Sequence, residues 1–442
     1  MKSLLVTLTI LIFFTGCSFD NKSGIWKNNE TTSIKKFDEF DNFEKLYTDE
    51  KKFNLLIKPK NNLNINLTNP KKIKTWNDQF YATSNNSENF YYIDSNQIFL
   101  KSKKLTRGKL NENFLFDGSN MIIADNKGNL IIYSVDQNKI IYKFNFYKKN
   151  YKKIKKRLNI SLKNKILYVS DNIGYLYALD YYKKKILWAK NYKIPFRSNL
   201  KIVANRIILA DQDNTLYILD KNSGEKIKSI PTEQVSLKNN FINSISSNNN
   251  LIYYLNTFGS LYSIDIKNNR IEWFVNLNPS LDLNNIDLFK SNPVIFHQDK
   301  IIVSTYPYLY VLDANNGSTI LKKSISSIIK PIVSGRNLFL LTEDYLLVCI
   351  NLETGEFEYS ININKEIAKF LNTKERLVSI KSLEILNSKL YFFLNNSFTV
   401  SFSSNGSINN VTKLKSKINS FPIFINGAIL YINSKNQFVM LN

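Results

Sequence analysis

The sequence predicts an all-β fold: an eight-bladed β-propeller of four-stranded antiparallel blades, the last blade completed by an N-terminal strand. Three observations carry this expectation. The pattern Leu-Tyr-x-[Ile/Leu]-Asp recurs at a spacing of about 44 residues, and a fixed period of that length marks a repeat architecture. Between the copies, apolar residues stand in short alternating runs, and 30 Phe and 25 Tyr against 4 Trp make ring side chains dense. Branched and ring side chains suit a half-buried pleated surface. Beyond residue 14 no apolar run approaches the roughly 18 residues of a membrane-spanning helix.

Taken from the start, the chain opens with Lys2 and the apolar run Leu4 to Phe14, interrupted by Thr7 and Thr9. That run is too short for a bilayer anchor and fits a cleaved signal peptide over residues 1–16. Phe14-Thr15-Gly16-Cys17 resembles the bacterial lipobox, with Phe14 where Leu is usual. The resemblance implies a lipoprotein acylated, with palmitate among its chains, on Cys17 as the mature N-terminus. Ser18 rather than Asp after it implies sorting to the outer membrane, on the periplasmic side. Residues 17–75 are expected as a polar tether with one short helix around Asp41 to Lys52, and residues 76–442 as the propeller.

Complete copies of the repeat end at Asp180, Asp220, Asp265 and Asp313, weaker ones at Asp136 and Asn351, and degenerate ones at Ser403 and Asn442. An apolar strand precedes each copy, as in Arg206 to Ala210 or Lys300 to Ser304. Polar turns such as Asp211-Gln212-Asp213-Asn214 separate the two strands. Asp, Asn and Gly tolerate the backbone that such hairpins need. A second turn, Asn222-Ser223-Gly224 or Asn315-Asn316-Gly317, leads to a further strand that often carries an aromatic residue: Tyr142, Trp188, Trp273 or Tyr359. The paired Gly-His and Trp-Asp signatures of WD40 blades are missing, and His297 is the chain's one histidine. The chain's last residues, Phe438 to Asn442, read as a third strand, so the eighth blade needs an outer strand from elsewhere. Asn96 to Ser102 has the right character and Ile73 to Trp76 is the alternative; closure of this kind removes unpaired edges. Cys349, inside the strand Leu346 to Ile350, is expected as a buried structural thiol with no disulfide partner in the mature chain.

The formal net charge is +24, and Lys148, Lys149, Lys152, Lys153, Lys155, Lys156 and Arg157 place seven cations within ten residues. A basic, aromatic-bearing loop can bind nucleic acid, but an exported chain meets anionic lipid, lipopolysaccharide phosphates or acidic protein surfaces instead. No nucleic-acid partner is expected. A solvated loop between the first two blades is the alternative.

The repeat, its turn ending in Gly and the following aromatic resemble the quinoprotein-like propellers. With the lipobox and eight units, the chain resembles the BamB family over roughly residues 90–442. That resemblance implies a scaffold of the machinery that inserts β-barrels into the outer membrane. Its partner would be the periplasmic domains of a BamA-type subunit, with unfolded outer membrane protein clients engaged by strand addition. The family's Leu-x-Leu-Arg partner segment is matched by Val235-Ser236-Leu237-Lys238, with Val for Leu and Lys for Arg; a chance apolar-basic loop is the alternative. Asp287 lies near the acidic positions of the next loop, although Lys290 stands where a carboxylate is expected.

Some quinoprotein propellers are dehydrogenases, and kinship with those would imply a vicinal disulfide against a quinone and carboxylates for calcium. No two cysteines are adjacent here, and the acidic residues fall mainly in repeat turns, where Asp caps its own turn. His297 has no second histidine to make a zinc site or triad. The reading is therefore not an enzyme, with no cofactor and no metal. The main alternative is a propeller module binding a carbohydrate, peptide or envelope polymer, and the minor one a quinone-dependent dehydrogenase.

Overall fold

The structure, a computed structural model, describes residues 17–19, 26–28, 53–60, 63–147, 151–234, 242–278 and 289–442. It divides into two units, Met1–Lys51 and Lys52–Asn442. In the first, Cys17–Phe19 pairs antiparallel with Trp26–Asn28. The expected signal peptide, and the helix expected around residues 41–52, lie outside the described residues.

Among the described residues the second unit contains eight sheets, here blades 1 to 8, over residues 115–145, 158–191, 201–230, 244–276, 295–323, 332–362, 380–413 and 423–441; each has four antiparallel strands, and that of blade 7 carries a fifth, Asn89–Phe90, added parallel to its first strand. Within a blade, strands adjacent in sequence pair with one another. First strands of neighbouring blades touch, so these line the axis. Second and third strands are buried, as in Leu309–Asp313, whereas fourth strands such as Thr319–Lys323 alternate between exposed and half-buried. Apolar runs thus occupy the middle of each blade, and alternating runs with lysines form its outer edge.

Blade 8 has three strands in sequence order and takes its fourth from Ile98–Lys101, which pairs antiparallel with Phe438–Leu441. Gln97 and Asn442 exchange backbone hydrogen bonds of 3.2 and 3.0 Å at its end. One register shift recurs between the third and fourth strands of the blades, between Ala178 and Leu179 in blade 2, Val311 and Leu312 in blade 5, and Met440 and Leu441 in blade 8. Ile98–Lys101 therefore stands where other blades hold their own fourth strand. The expectation for Asn96 to Ser102 is met. Trp76, from the alternative segment, pairs instead with Phe116 in the first strand of blade 1.

The repeat motif now has physical content. The terminal Asp of the third strand holds the following turn: Asp220 accepts from the amides of Asn222 and Ser223 at 2.9 and 2.8 Å, and Asp313 from those of Asn315 and Asn316. The aromatic of the fourth strand leaves its own blade and lies on the turn glycine of the next. Trp188 covers Gly224, Trp273 covers Gly317 and Tyr359 covers Gly406. Glycine is needed there twice over, for its left-handed backbone (φ +75° at Gly317) and because a Cβ would sit 2.6 Å from Trp273.

Two features depart from the expectation. A helix, Ile363–Phe370, capped by the Asn362 side chain, is inserted between blades 6 and 7; it explains why the interval from Asn351 to Ser403 is the longest in the repeat. Residues 53–60 and 63–75, expected to be tether, pack on the propeller. Phe53 lies 4.7 Å from Phe357, Ile57 pairs with Ser360 on the outer strand of blade 6, and Ile65 is buried in the core cluster of blades 6 and 7. The scattered apolar residues of a polar segment are the ones that make these contacts.

Candidate functional site: the mouth of the central channel

In an antiparallel blade, the connections entering the first strand and the turns between second and third strands share one end of the ring. The residues that converge there are set by a segment that passes around the axis. Trp76 pairs with Phe116 of blade 1, the Asn77 carbonyl accepts from Leu162 of blade 2, and Asp78 binds Lys201 of blade 3 at 2.6 Å. The Thr83 and Ser84 carbonyls accept from Ser247 of blade 4 and Phe296 of blade 5, each at 3.0 Å. Asn86 exchanges hydrogen bonds with Val333 of blade 6 at 2.8 and 3.1 Å. Asn89–Phe90 runs parallel to the first strand of blade 7, and Ile93 donates to Gly427 of blade 8. Residues 76–93 therefore visit all eight blades in order and fill the channel.

Several of the groups buried by this segment are matched, while Trp76 Nε1 and Asn85 Oδ1 find no hydrogen-bond partner among the described residues. Lys201 is fully buried; burial lowers its pKa and the Asp78 carboxylate opposes that shift, while the ammonium also donates to the Ala82 carbonyl at 3.2 Å. The Asn85 amide nitrogen donates to the Ile245 and Val294 carbonyls of blades 4 and 5. Burial also lowers the pKa of His297, favouring the neutral ring, in which Nε2 donates to the Gly335 carbonyl at 2.8 Å. His297 is thus absorbed as a strut between blades.

Above this plug lies the mouth. Three cavities of about 390, 390 and 410 Å³ all touch Gln79, and the first two share Phe80, so they subdivide one cup floored by the N-terminal segment. On the side of blades 6, 7, 8 and 1 the wall is apolar, with Phe114, Ile329, Leu383, Phe421 and Ile423. Polar residues punctuate it, among them Lys330, Lys381, Trp76 and Glu384. The Trp76 indole Nε1 and the Glu384 carboxylate Oε2 have no hydrogen-bond partner among the described residues, although the two residues are only 5% and 7% exposed. Burial pushes the Glu384 carboxyl up to about 7, partly opposed by the Lys330 ammonium, which itself donates to Ser87 at 3.1 Å.

The side of blades 2 to 4 is cationic. Lys155 and Arg157 of the basic loop, Arg197 and, in the adjoining cavity, Lys109 line it. Burial, and then the positive Arg157, lower the Arg197 pKa. Neither guanidinium has a carboxylate partner among the described residues. Glu112, the carboxylate of the third cavity, is taken by Lys381 at 2.6 Å.

The structure thus splits the basic loop. Lys152 and Lys153 are exposed, and Lys155 and Arg157 face the cup. Lys156 is buried, its ammonium 5.1 Å over the Tyr147 ring and bonded to the Tyr151 carbonyl. Lys148, Lys149, Val235, Leu237, Lys238 and Asp287 lie outside the described residues, and Cys17 falls in the first strand of the N-terminal pair. Sequence reasoning missed Arg197, Lys330, Glu384 and the whole of residues 76–93. The signal available for Arg197 was its place just before a first strand, matching that of Arg157.

The residues present do not fit the quinone cofactor of the dehydrogenase propellers. The one cysteine of the propeller, Cys349, is buried within blade 6 with burial raising its thiol pKa, and the channel centre is filled by residues 76–93. Among the described residues no group of three or more His, Cys, Asp or Glu converges.

Residues 126–359 match the family model described as outer membrane protein assembly factor BamB. An uncharacterized protein of Rickettsia prowazekii is 24% identical over 318 residues, 67% of this chain and 72% of the relative. Among solved structures, BamB from Moraxella catarrhalis superposes with a TM-score of 0.61 at 14% identity, over 78% of this chain and 99% of the other. The quinohemoprotein alcohol dehydrogenase of Comamonas testosteroni reaches 0.61 at 10% identity, over 83% and 80%. At such identities the likeness of the solved structures is one of fold.

Proposed function

The chain belongs to the BamB family of outer membrane protein assembly factors, and on that premise we propose that it is a non-catalytic scaffold, anchored through Cys17 to the periplasmic face of the outer membrane. Its partner in this reading is a BamA-type assembly subunit, with unfolded β-barrel clients passing over the same platform. The observation that carries the reading is the family match across blades 1 to 6. Two features support it. A ring fixed at its axis by residues 76–93 is a rigid platform, and rigid platforms bind without loss of conformational entropy. The chain's own Ile57 pairs with Ser360 on the outer strand of blade 6, so a blade edge accepts an added segment.

Partner docking is assigned to Val235, Leu237, Lys238 and Asp287, in the connections leading into blades 4 and 5, where long basic side chains supply charge and contact area together. The test is affinity capture of the tagged, lipidated chain from solubilised outer membranes. A β-barrel assembly subunit should co-purify, and Lys238→Glu should reduce its yield while leaving the melting curve unchanged. Recovery of no envelope protein at all would remove the scaffold reading; undiminished recovery with Lys238→Glu would move the docking surface elsewhere on the ring.

A further inference from the structure

The cationic side of the channel mouth is not used by the scaffold reading. Its cavity, of about 390 Å³, is lined by Lys155, Arg157 and Arg197 and, among the described residues, by no carboxylate. The three cations come from two connections, the one that enters blade 2 and the one that enters blade 3. Hydrogen bonds fix the main chain of both arginines. The Arg157 amide donates to Asn172 Oδ1 at 2.8 Å, and Asn172 Nδ2 donates to the Lys155 carbonyl at 3.0 Å. The Arg197 amide donates to the Ala210 carbonyl, and its own carbonyl accepts from the Asn243 amide, each at 2.9 Å. The backbones are therefore held in place while neither guanidinium has a carboxylate partner among the described residues.

That arrangement is costly, because like charges on one wall oppose each other, as the influence of Arg157 on Arg197 records. Other cations of the cup and channel are matched: Lys381 with Glu112, Lys330 with Glu384 and Lys201 with Asp78. The counter-charge of the blade 2 and 3 wall must come from outside the chain, and its chemistry follows from what has to be answered. A carboxylate or a phosphodiester brings one negative charge to three cations. A terminal phosphoryl group brings nearly two charges and three strong acceptor oxygens. Planar guanidinium groups take such oxygens in a bidentate fashion, and an ammonium takes them as a point charge.

We infer that the cationic pocket on blades 2 and 3 binds a terminal phosphoryl group, held by Arg157 and Arg197 with Lys155 beside them. The cavity is larger than a phosphate ion, so it admits part of whatever carries the group. A soluble phosphomonoester and a lipid headgroup share this chemistry. The inference goes beyond the scaffold reading and stands without it.

The test titrates the full mature chain with inorganic phosphate at fixed ionic strength, followed by calorimetry. Phosphate should bind saturably, and acetate about tenfold more weakly or not at all. Arg157→Gln and Arg197→Gln should each weaken binding by about tenfold or more. Neither change should lower the melting temperature in phosphate-free buffer, because neither side chain loses a partner. Phosphate should raise the melting temperature of the unaltered chain and leave that of the double variant unmoved. Lys152→Glu with Lys153→Glu, on the exposed part of the same loop, should keep the affinity within about twofold at about 0.15 M salt. A second arm, on the mature chain with Cys17→Ser so that no acyl group holds it, measures flotation with phosphatidylcholine vesicles containing phosphatidic acid. Flotation that inorganic phosphate displaces and the double arginine variant loses supports the site with a lipid headgroup as its source. Phosphate binding without flotation supports it with a soluble phosphomonoester. Equal affinity for acetate, equal loss with the Lys152 and Lys153 pair, or no binding in either arm overturns the proposal.

Discussion

A single buried ion pair ties the N-terminal segment to the ring. Lys201 belongs to the first strand of blade 3, and Asp78 reaches it from a segment more than a hundred residues upstream. Their side chains are 0% and 9% exposed, so water does not screen them. A pair of this kind adds little net stability compared with an apolar replacement of both members, but removal of one leaves a charge in a medium that cannot solvate it, at about 3–5 kcal/mol. Asp78→Ala should therefore lower the unfolding free energy by about that amount, read from denaturant midpoints at constant slope. Lys201→Met in the same background should return most of it, since the stranded ammonium is gone. A double variant no more stable than Asp78→Ala alone would show that the loss came from the segment's backbone and not from the charge. The same locality explains why Lys201 is tolerated in an otherwise apolar strand: its partner and the Ala82 carbonyl are delivered together by one turn of the plug.

At the scale of elements, the joints between blades are what the repeat encodes. The aromatic four residues past one turn and the glycine of the next turn read as two separate features of a blade; in the structure they are the two halves of one contact. Gly317→Ala tests the joint of blades 4 and 5. The methyl would meet Trp273 at 2.6 Å and the backbone would be held at a positive φ, so a loss of about 1–3 kcal/mol is expected, visible as a lower melting temperature and as weakened quenching of tryptophan fluorescence. Trp273→Leu combined with it should cost less than the sum of the two single changes, because the clash disappears with the ring. The blades were legible because burial forces period-two patterning and turns force Asp, Asn and Gly. Ile98–Lys101 was legible for the same reason together with an arithmetic one, the missing outer strand of blade 8. The helix Ile363–Phe370 was not, because Ile363, Ile367 and Phe370 make too short an apolar stripe to stand out between strands of similar composition. Residues 76–93 were not legible either. Their work is done by Asn85, Asn86 and Asn89 amides and by backbone carbonyls, and a run such as Thr83-Ser84-Asn85-Asn86-Ser87 has the composition of a linker whether it is solvated or bonded to blades 4, 5 and 6.

For the molecule as a whole, two devices hold the ring: closure at its rim by Ile98–Lys101 and occupation of its axis by residues 76–93. They fail in different ways. Opening the rim exposes Phe438–Leu441 as an unpaired edge while every blade keeps its own strands, and an exposed apolar edge pairs with the next chain. Emptying the axis leaves all eight blades paired but unmatches Lys201 and the first-strand amides that now meet residues 77 to 90. Leu100→Pro removes an amide and forces the backbone in the middle of the closing strand; it should yield dimers and larger species by size-exclusion chromatography, with strand content by circular dichroism nearly unchanged. A chain beginning at residue 94 should remain monomeric, melt at a lower temperature and lose the single cooperative transition, because blades that were coupled through one central segment then couple only to their neighbours. If the shortened chain aggregated and the proline variant stayed monomeric, the axis and not the rim would be the closure. The cup follows the axis: Gln79 and Phe80 line it, so without them its floor is gone even while the blades remain folded.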